Sequence, residues 1–281
     1  MSIRLIALDI DGTLLDSEWQ VPDANRDAVA RAVACGIEVA LVTGRRFDFA
    51  RPVADQLASP VTLIVSNGAL VKSPDGTTRL AHLLPVELAR RVLEATASFR
   101  ESASVTFDRP RERQLVFERI DWGTPSRRTA FAERQRAYIA EIDPLEECLT
   151  EDPVQVSFTG TFAEMVALQE AIRSLPFRDS FSVAVTEYES RDFTLVDVMA
   201  AGCSKGATLA RWAAARGIAR AEVMAVGDNL NDIEMLEYAG LPVVMGNAVA
   251  ALRRDGWYVT GTNDEGGVAE AIEKLALRSV R

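Results

Sequence analysis

The sequence predicts an α/β fold, a parallel sheet covered by helices on both faces and interrupted by a second, smaller α/β unit. Three observations lead there. The first third of the chain alternates near-continuous apolar runs with helical patterns. The middle has part-polar strands, and from about residue 192 the first pattern resumes.

The elements follow in order. Ile3–Ile10 is apolar enough for a strand buried on both faces, and Asp23–Cys35 has helical spacing that Gly36 stops. Ile37–Thr43 is a second buried strand, Phe47–Leu57 a helix and Val61–Ser66 a third strand. In the middle, a helix over Val86–Phe99 precedes short strands at Ser104–Phe107 and Gln114–Glu118. A polar, arginine-rich stretch and a helix over Thr129–Glu141 follow. Strand Val154–Thr159, helix Phe162–Ser174 and strand Phe181–Thr186 complete this part, whose part-polar strands suit a sheet open on one side. Helix Lys205–Arg216, strand Glu222–Val226 and a helix ending at Gly240 then return to the first style. Strands Pro242–Met245 and Trp257–Thr260 and a helix over Gly267–Leu277 close the chain. The expected division is a discontinuous core, residues 1–84 and 188–281, around an inserted unit, residues 85–187.

The chain has 281 residues, 48% hydrophobic and 26% charged, enough for one large domain or two smaller ones. A net charge of -10 argues against a nucleic-acid footprint or an anionic membrane surface. No apolar run reaches the ~20 residues of a membrane helix, and Met1 leads straight into the first strand with no signal segment. Cys35, Cys148 and Cys203 are scattered and read as core residues in a reducing compartment, so the expected location is the cytoplasm. His82 is the only histidine, which excludes histidine-pair chemistry. Of 31 basic residues only Lys72, Lys205 and Lys274 are lysines, so each lysine raises the question of what arginine could not do there.

The opening run "LIALDIDGTLLD" places Asp9 and Asp11 where the core should continue. Residues i and i+2 of a strand point the same way, and ligands of parallel sheets bind beyond the carboxyl ends of the strands. Gly12 lets the chain leave sharply. Taken alone, Asp11-Gly12 could be a simple turn pair. Asp228, however, directly follows the strand Glu222–Val226, with Asp232 at the next helix start. Four carboxylates meeting there need a cation or shared protons, and hard Mg²⁺ with oxygen ligands fits. Thr43-Gly44-Arg45 follows the second strand with a hydroxyl and backbone N–H groups, and Ser204-Lys205-Gly206 opens a helix whose N-terminus favours an anion.

These segments, "DIDGT" (Asp9 to Thr13), "TGR" (Thr43 to Arg45), "SKG" (Ser204 to Gly206) and "GDNLND" (Gly227 to Asp232), resemble the haloacid dehalogenase-like (HAD) superfamily, in particular its Cof-type hydrolases of subfamily IIB. "VMGNA" (Val244 to Ala248) and "TNDEGGVAEAI" (Thr262 to Ile272) match as well, so the resemblance spans nearly the whole chain. It implies a Rossmann-like core with a C2-type cap and a Mg²⁺-dependent phosphatase acting on a small phosphorylated metabolite, a sugar phosphate or phosphorylated cofactor. By the same resemblance, Asp9 attacks phosphorus and forms an aspartyl phosphate. Asp11 gives and takes the proton. Asp9, the backbone carbonyl of Asp11 and Asp228 hold the ion. Gly12, Thr43, Gly44, Arg45, Lys205 and Asn231 face the phosphate, and Asn229 and Asp232 support them. Repulsion from neighbouring acids is the expected reason for Asp11 to start protonated.

Blander readings stand beside several residues. Asn229 is a helix cap or an outer support of the metal. Asn67-Gly68 is a turn or part of the pocket mouth, Asn247 and Asn263 match the family but are common turn formers, and the arginines from Arg109 to Arg136 read as a solvated face from which one could anchor a substrate. His82 reads as a linker residue. Two other functions remain open at this point: a phosphomutase, which would return the phosphoryl group to the substrate, and a non-catalytic module that binds a phosphometabolite.

Overall fold

The computed structural model describes residues 2–188 and 192–277. In chain order it contains β1 (Leu5–Leu8), α1 (Asp23–Ala34), β2 (Glu38–Val42), α2 (Phe47–Leu57), β3 (Thr62–Val65), β4 (Leu70–Lys72) and β5 (Thr78–Ala81). Next come α3 (Val86–Ala95), β6 (Ala103–Thr106), β7 (Leu115–Phe117), α4 (Arg127–Glu133), β8 (Ile139–Glu141) and β9 (Gln155–Gly160). They are followed by α5 (Phe162–Arg173), β10 (Phe181–Tyr188), β11 (Phe193–Ala200) and α6 (Lys205–Ala215). The chain ends with β12 (Val223–Gly227), α7 (Ile233–Tyr238), β13 (Leu241–Val244), β14 (Tyr258–Val259) and α8 (Gly267–Ala271).

Two compact units emerge. The first comprises residues 1–81 and 204–281, the second residues 82–203. The first holds an eight-stranded sheet in the order β14-β13-β12-β1-β2-β3-β4-β5. Its strands run parallel from β14 to β3, and β4 and β5 add antiparallel at one edge. Strand β1 is fully buried, as its unbroken apolar run requires of a strand covered on both faces. It also lies where the strand order reverses, with β2 on one side and β12 on the other. In an open α/β sheet this is where a crevice forms beyond the carboxyl ends. The ladders pair Leu8 with both Leu41 and Val226, so the three strands end level.

The second unit has a six-stranded sheet in the order β10-β11-β9-β6-β7-β8, antiparallel except for β7 and β8. Alternation sends Val154, Val156 and Phe158 to one face. There Val156 and Phe158 join Val105, Val196 and Val198 and residues of α3 and α5, including Leu93, Met165 and Leu168, in one core. Ser126 and Thr161 cap α4 and α5 by accepting the Thr129 and Glu164 N–H groups.

Some elements differ from the sequence expectation. The helix expected over Thr129–Glu141 ends at Glu133, because Ile139–Glu141 pairs with β7 as β8. The helix begun at Val86 ends at Ala95, where the Thr96 hydroxyl donates back to the Val92 carbonyl at 2.7 Å and a 3₁₀ turn follows. Strand β11 was expected to belong to the resumed core. All eight of its residues pair with β10 and it also pairs with β9, so the chain leaves the second unit near residue 203 and not near 187. The short edge strands β4 and β5 have no counterpart in the sequence reading.

Phe158 is fully buried in the core of the second unit, whereas Phe162 at the start of α5 is 52% exposed. Phe158→Ala is expected to lower unfolding stability by about 3–5 kcal/mol through lost burial and a residual cavity. Phe162→Ala should change it by no more than about 0.5 kcal/mol. Urea titrations of both variants check the contrast, and equal losses would contradict this assignment of the core.

Candidate active site

Asp9 is the first polar residue after β1. Its N–H donates to the Val226 carbonyl of β12 at 3.0 Å, so the ladder continues one residue past the strand and fixes the backbone. Its side chain is buried at 4% exposure. Gly12 then takes a left-handed φ of 76°, and a Cβ there would lie 2.4 Å from Asp228 Oδ2. A side chain at this position would thus be strained and would also fill the space beside the second acid. The Thr13 hydroxyl donates to Asp228 Oδ1 at 2.9 Å, and the Asn247 amide donates to the Gly12 carbonyl at 2.8 Å.

Lys205 opens α6 and is 1% exposed. Ser204, its N-cap, accepts the Ala207 N–H at 3.1 Å. The Lys205 ammonium donates to Asp9 Oδ1 at 2.6 Å and to Asp232 Oδ1 at 2.7 Å. Asp232 Oδ2 accepts the backbone N–H groups of Asp228 and Asn229, each at 3.0 Å. Both oxygens of Asp232 are therefore used in holding the "GDNLND" turn and the lysine. Asn229 caps this turn, its Oδ1 accepting the Leu230 N–H at 2.8 Å.

One oxygen from each of Asp9, Asp228 and Asp232 lies within 4.8 Å of the others, all three residues buried. Burial raises Asp9 well above the ordinary aspartate range, with the Asp232 charge adding to it. Burial and then Asp232 push Asp228 up to about 7. Burial opposes the Lys205 ammonium, yet Asp232 and Asp9 outweigh it and raise its pKa. One ammonium is thus hydrogen-bonded to two of the three clustered acids. An all-oxygen donor set around the cradle left by Gly12 fits a hard divalent ion such as Mg²⁺.

The remaining sequence candidates gather around this cluster, with two changes. The Asp11 carboxylate is close enough to Asp9 and Asp228 for its charge to act on both, but it is also paired. A guanidinium faces it, Arg45 donating from Nε at 2.8 Å and from Nη2 at 2.6 Å. Arg45, expected to face a phosphate, is thereby engaged with Asp11, and its Nη1 also donates to the Phe49 carbonyl at 3.1 Å. Asp232, one of the four carboxylates expected here, joins Asp9 and Asp228 through its side chain. Thr43 is 1% exposed at the end of β2, and its hydroxyl accepts the Arg45 N–H at 3.1 Å. Asn231 donates from its amide to Asn67 Oδ1 at 3.1 Å. Asn67, a turn former or part of the pocket mouth by sequence, and Asn247, a family match or a turn former, are both engaged with site loops in the structure. The only signal for Asn67 was its place directly after a buried strand, and Thr13 was carried along silently within "DIDGT".

Comparison with known proteins agrees with the geometry. The family model of haloacid dehalogenase-like hydrolases matches residues 6–272. Phosphatase YwpJ of Bacillus subtilis is 31% identical over 97% of this chain and 100% of its own. Pyridoxal phosphate phosphatase YbhA of Escherichia coli is 29% identical over 97% of this chain and 98% of its own. Among solved structures, a haloacid dehalogenase-like hydrolase from B. subtilis superposes with a TM-score of 0.80 at 27% identity, covering 97% of this chain and 100% of that one. The chain therefore belongs to the haloacid dehalogenase-like hydrolases, in their Cof-type branch of phosphatases.

Proposed function

We propose that the protein hydrolyses the phosphomonoester of a small metabolite in a Mg²⁺-dependent reaction that passes through an aspartyl phosphate on Asp9. The observation that carries this reading is the buried Asp9 carboxylate held by Lys205 at 2.6 Å beside Asp228 and Asp232. A side chain kept at the end of β1 in a fixed rotamer is oriented to attack, which removes much of the entropic barrier to nucleophilic displacement.

In the first step a bond forms between an Asp9 oxygen and phosphorus as the bond to the leaving oxygen breaks. Asp11 supplies the proton to that oxygen, a role it takes up on leaving Arg45, whose guanidinium otherwise occupies both of its oxygens. In the second step water attacks phosphorus, Asp11 takes its proton, and Asp9 is freed with release of orthophosphate. Lys205, the Thr43 hydroxyl and the N–H of Gly44 stabilise charge on the phosphoryl oxygens, and preorganised charge of this kind is usually the largest catalytic contribution. Asp9, Asp228 and the Asp11 backbone carbonyl would hold Mg²⁺. When bound, the ion supplies positive charge to the phosphoryl oxygens and relieves the repulsion between the acids.

The substrate class we favour is a sugar phosphate or a phosphorylated cofactor. Relatives named for pyridoxal phosphate and for 5-amino-6-(5-phospho-D-ribitylamino)uracil support it. A screen of phosphate release across such metabolites, run without a bisphosphate activator, tests this reading directly. Release without the activator separates hydrolysis from a mutase.

Three outcomes are expected. Asp9→Asn should abolish turnover of an aryl phosphate while its circular dichroism and melting temperature still report a folded protein. Persistent turnover would refute the nucleophile assignment. EDTA should silence the wild-type enzyme and added Mg²⁺ restore it, and full activity in chelator would exclude the metal. Lys205→Arg should lower kcat by about 100-fold or more, because a planar fork cannot sit as a point charge between two buried acids. A kcat close to that of the wild type would show that charge alone suffices.

A further inference from the structure

The connection from β3 to β4 is unusual for a hairpin. Ser66, Asn67 and Gly68 all have left-handed backbones, with φ of 50°, 51° and 98°. Two of the three are not glycine, so the backbone is strained there. The turn is also buried, Ser66 and Asn67 each being 1% exposed. Strain of this kind persists only where the surroundings over-determine it.

Those surroundings are the three loops assigned to the phosphoryl group. The N–H of Asn67 donates to the Thr43 carbonyl at 3.0 Å, and the N–H of Ser66 donates to the Arg45 carbonyl at 2.9 Å. The C=O and the following N–H of a trans peptide point in opposite directions. Because the Thr43 carbonyl turns toward β3, the Gly44 N–H turns the other way, to the side on which β1 lies. The Asn67 side chain lies against the same peptide: a Cβ at Gly44 would be 3.0 Å from Asn67 Oδ1. That oxygen also accepts the Asn231 amide at 3.1 Å, which ties the turn to the "GDNLND" loop. The Gly68 carbonyl accepts the Thr208 hydroxyl at 2.7 Å, and a Cβ on Gly68 would sit 2.3 Å from the Ser204 carbonyl oxygen. The turn therefore also abuts the first turn of α6, the helix that carries Lys205.

We infer that Asn67 is a positioning residue for phosphoryl transfer. Its left-handed backbone aims the Gly44 N–H, and its side-chain oxygen fixes the Asn231 amide. The two tasks explain the residue type. Glycine would meet the backbone requirement at lower cost, but it has no oxygen for Asn231. Asparagine is among the few residues with a side chain that tolerate this backbone region. This inference rests on the proposed function and names a residue outside the segments that identified the family.

Asn67→Gly separates the tasks, since it keeps the backbone conformation and removes only the side chain. The variant is expected to stay folded, because relief of the left-handed backbone offsets part of the lost hydrogen bond. Its kcat for an aryl phosphate should fall about 10- to 100-fold with KM changed much less. Asn231→Ala should show a similar loss, and the double variant should lose little more, because both act through one hydrogen bond. Binding of orthovanadate with Mg²⁺, measured by calorimetry, should weaken by a comparable factor. Wild-type kinetics in Asn67→Gly, or losses that multiply in the double variant, would overturn the inference. If the wild-type protein turned over no phosphomonoester, the proposed function would fail, and the vanadate measurement would still decide the role of Asn67. Unchanged vanadate affinity in the variant, or no vanadate binding by the wild type, would overturn it.

Discussion

The site depends on one buried cation. Lys205 places its ammonium between Asp9 and Asp232 at 2.6 and 2.7 Å, with all three side chains almost wholly removed from water. Buried charges are tolerated when paired and hydrogen-bonded. Removing one partner of such a pair typically costs about 3–5 kcal/mol, because the other is left uncompensated. The ammonium thus does two things at once: it makes the acids compatible with the fold, and it holds one oxygen of the proposed nucleophile. It does not neutralise the whole cluster. Burial first, and the Asp232 charge after it, displaces Asp9 and Asp228 upward, and a divalent ion would balance the acids once they ionise.

The cation could not meet its partners without the register of the sheet. Asp9 and Asp228 lie far apart in sequence, yet the pairing of Leu8 with Val226 brings the strands that precede them to the same level. The pairing of Leu8 with Leu41 does the same for Thr43. In a parallel sheet every strand points its carboxyl end to one side, so residues just past those ends converge with no further device. Helix α6 enters from that side, and its capped first turn delivers Lys205. Rigid ladders, not loop geometry, therefore set the distances.

This dependence explains how much could be read from the sequence. Asp9, Thr43 and Asp228 were legible because each is the first polar residue after an apolar strand, and Lys205 because a serine cap and a glycine flank it. The core strands and helix α2 follow the apolar pattern closely. What stayed hidden depends on partners distant in sequence. Arg45 and Asp11 are 34 positions apart, and only the fold shows that the guanidinium takes both carboxylate oxygens. Asp232 was legible as one of four converging acids and as a support for the metal or Lys205, but its hold on the Asp228 and Asn229 N–H groups shows only in the fold. β11 was misplaced for a related reason. Its sequence is as apolar as a core strand, and its membership in the six-stranded sheet is fixed by ladders to β10 and β9. The helix expected to reach Glu141 failed because pairing between β8 and β7 overrode a local pattern that alone favours a helix.

The proposed division of labour between the units follows from the same chemistry. The groups assigned to the phosphoryl transfer, Asp9, Asp11, Thr43, Lys205 and Asp228, all lie in the unit with the parallel sheet. The phosphoryl group is common to every substrate of the proposed class, so this unit can be built for one invariant set of oxygens and one ion. In the proposed reaction its parts are interdependent: the lysine pairs with both acids, the acids would need the ion, and the Gly44 amide would depend on the strained turn behind it. A change at any of them is felt at the others, which leaves little room for altering specificity there. Selection among leaving groups is less constrained where residues do not share that charge network. The inserted unit, with its own sheet and its own core, can vary without disturbing the buried lysine.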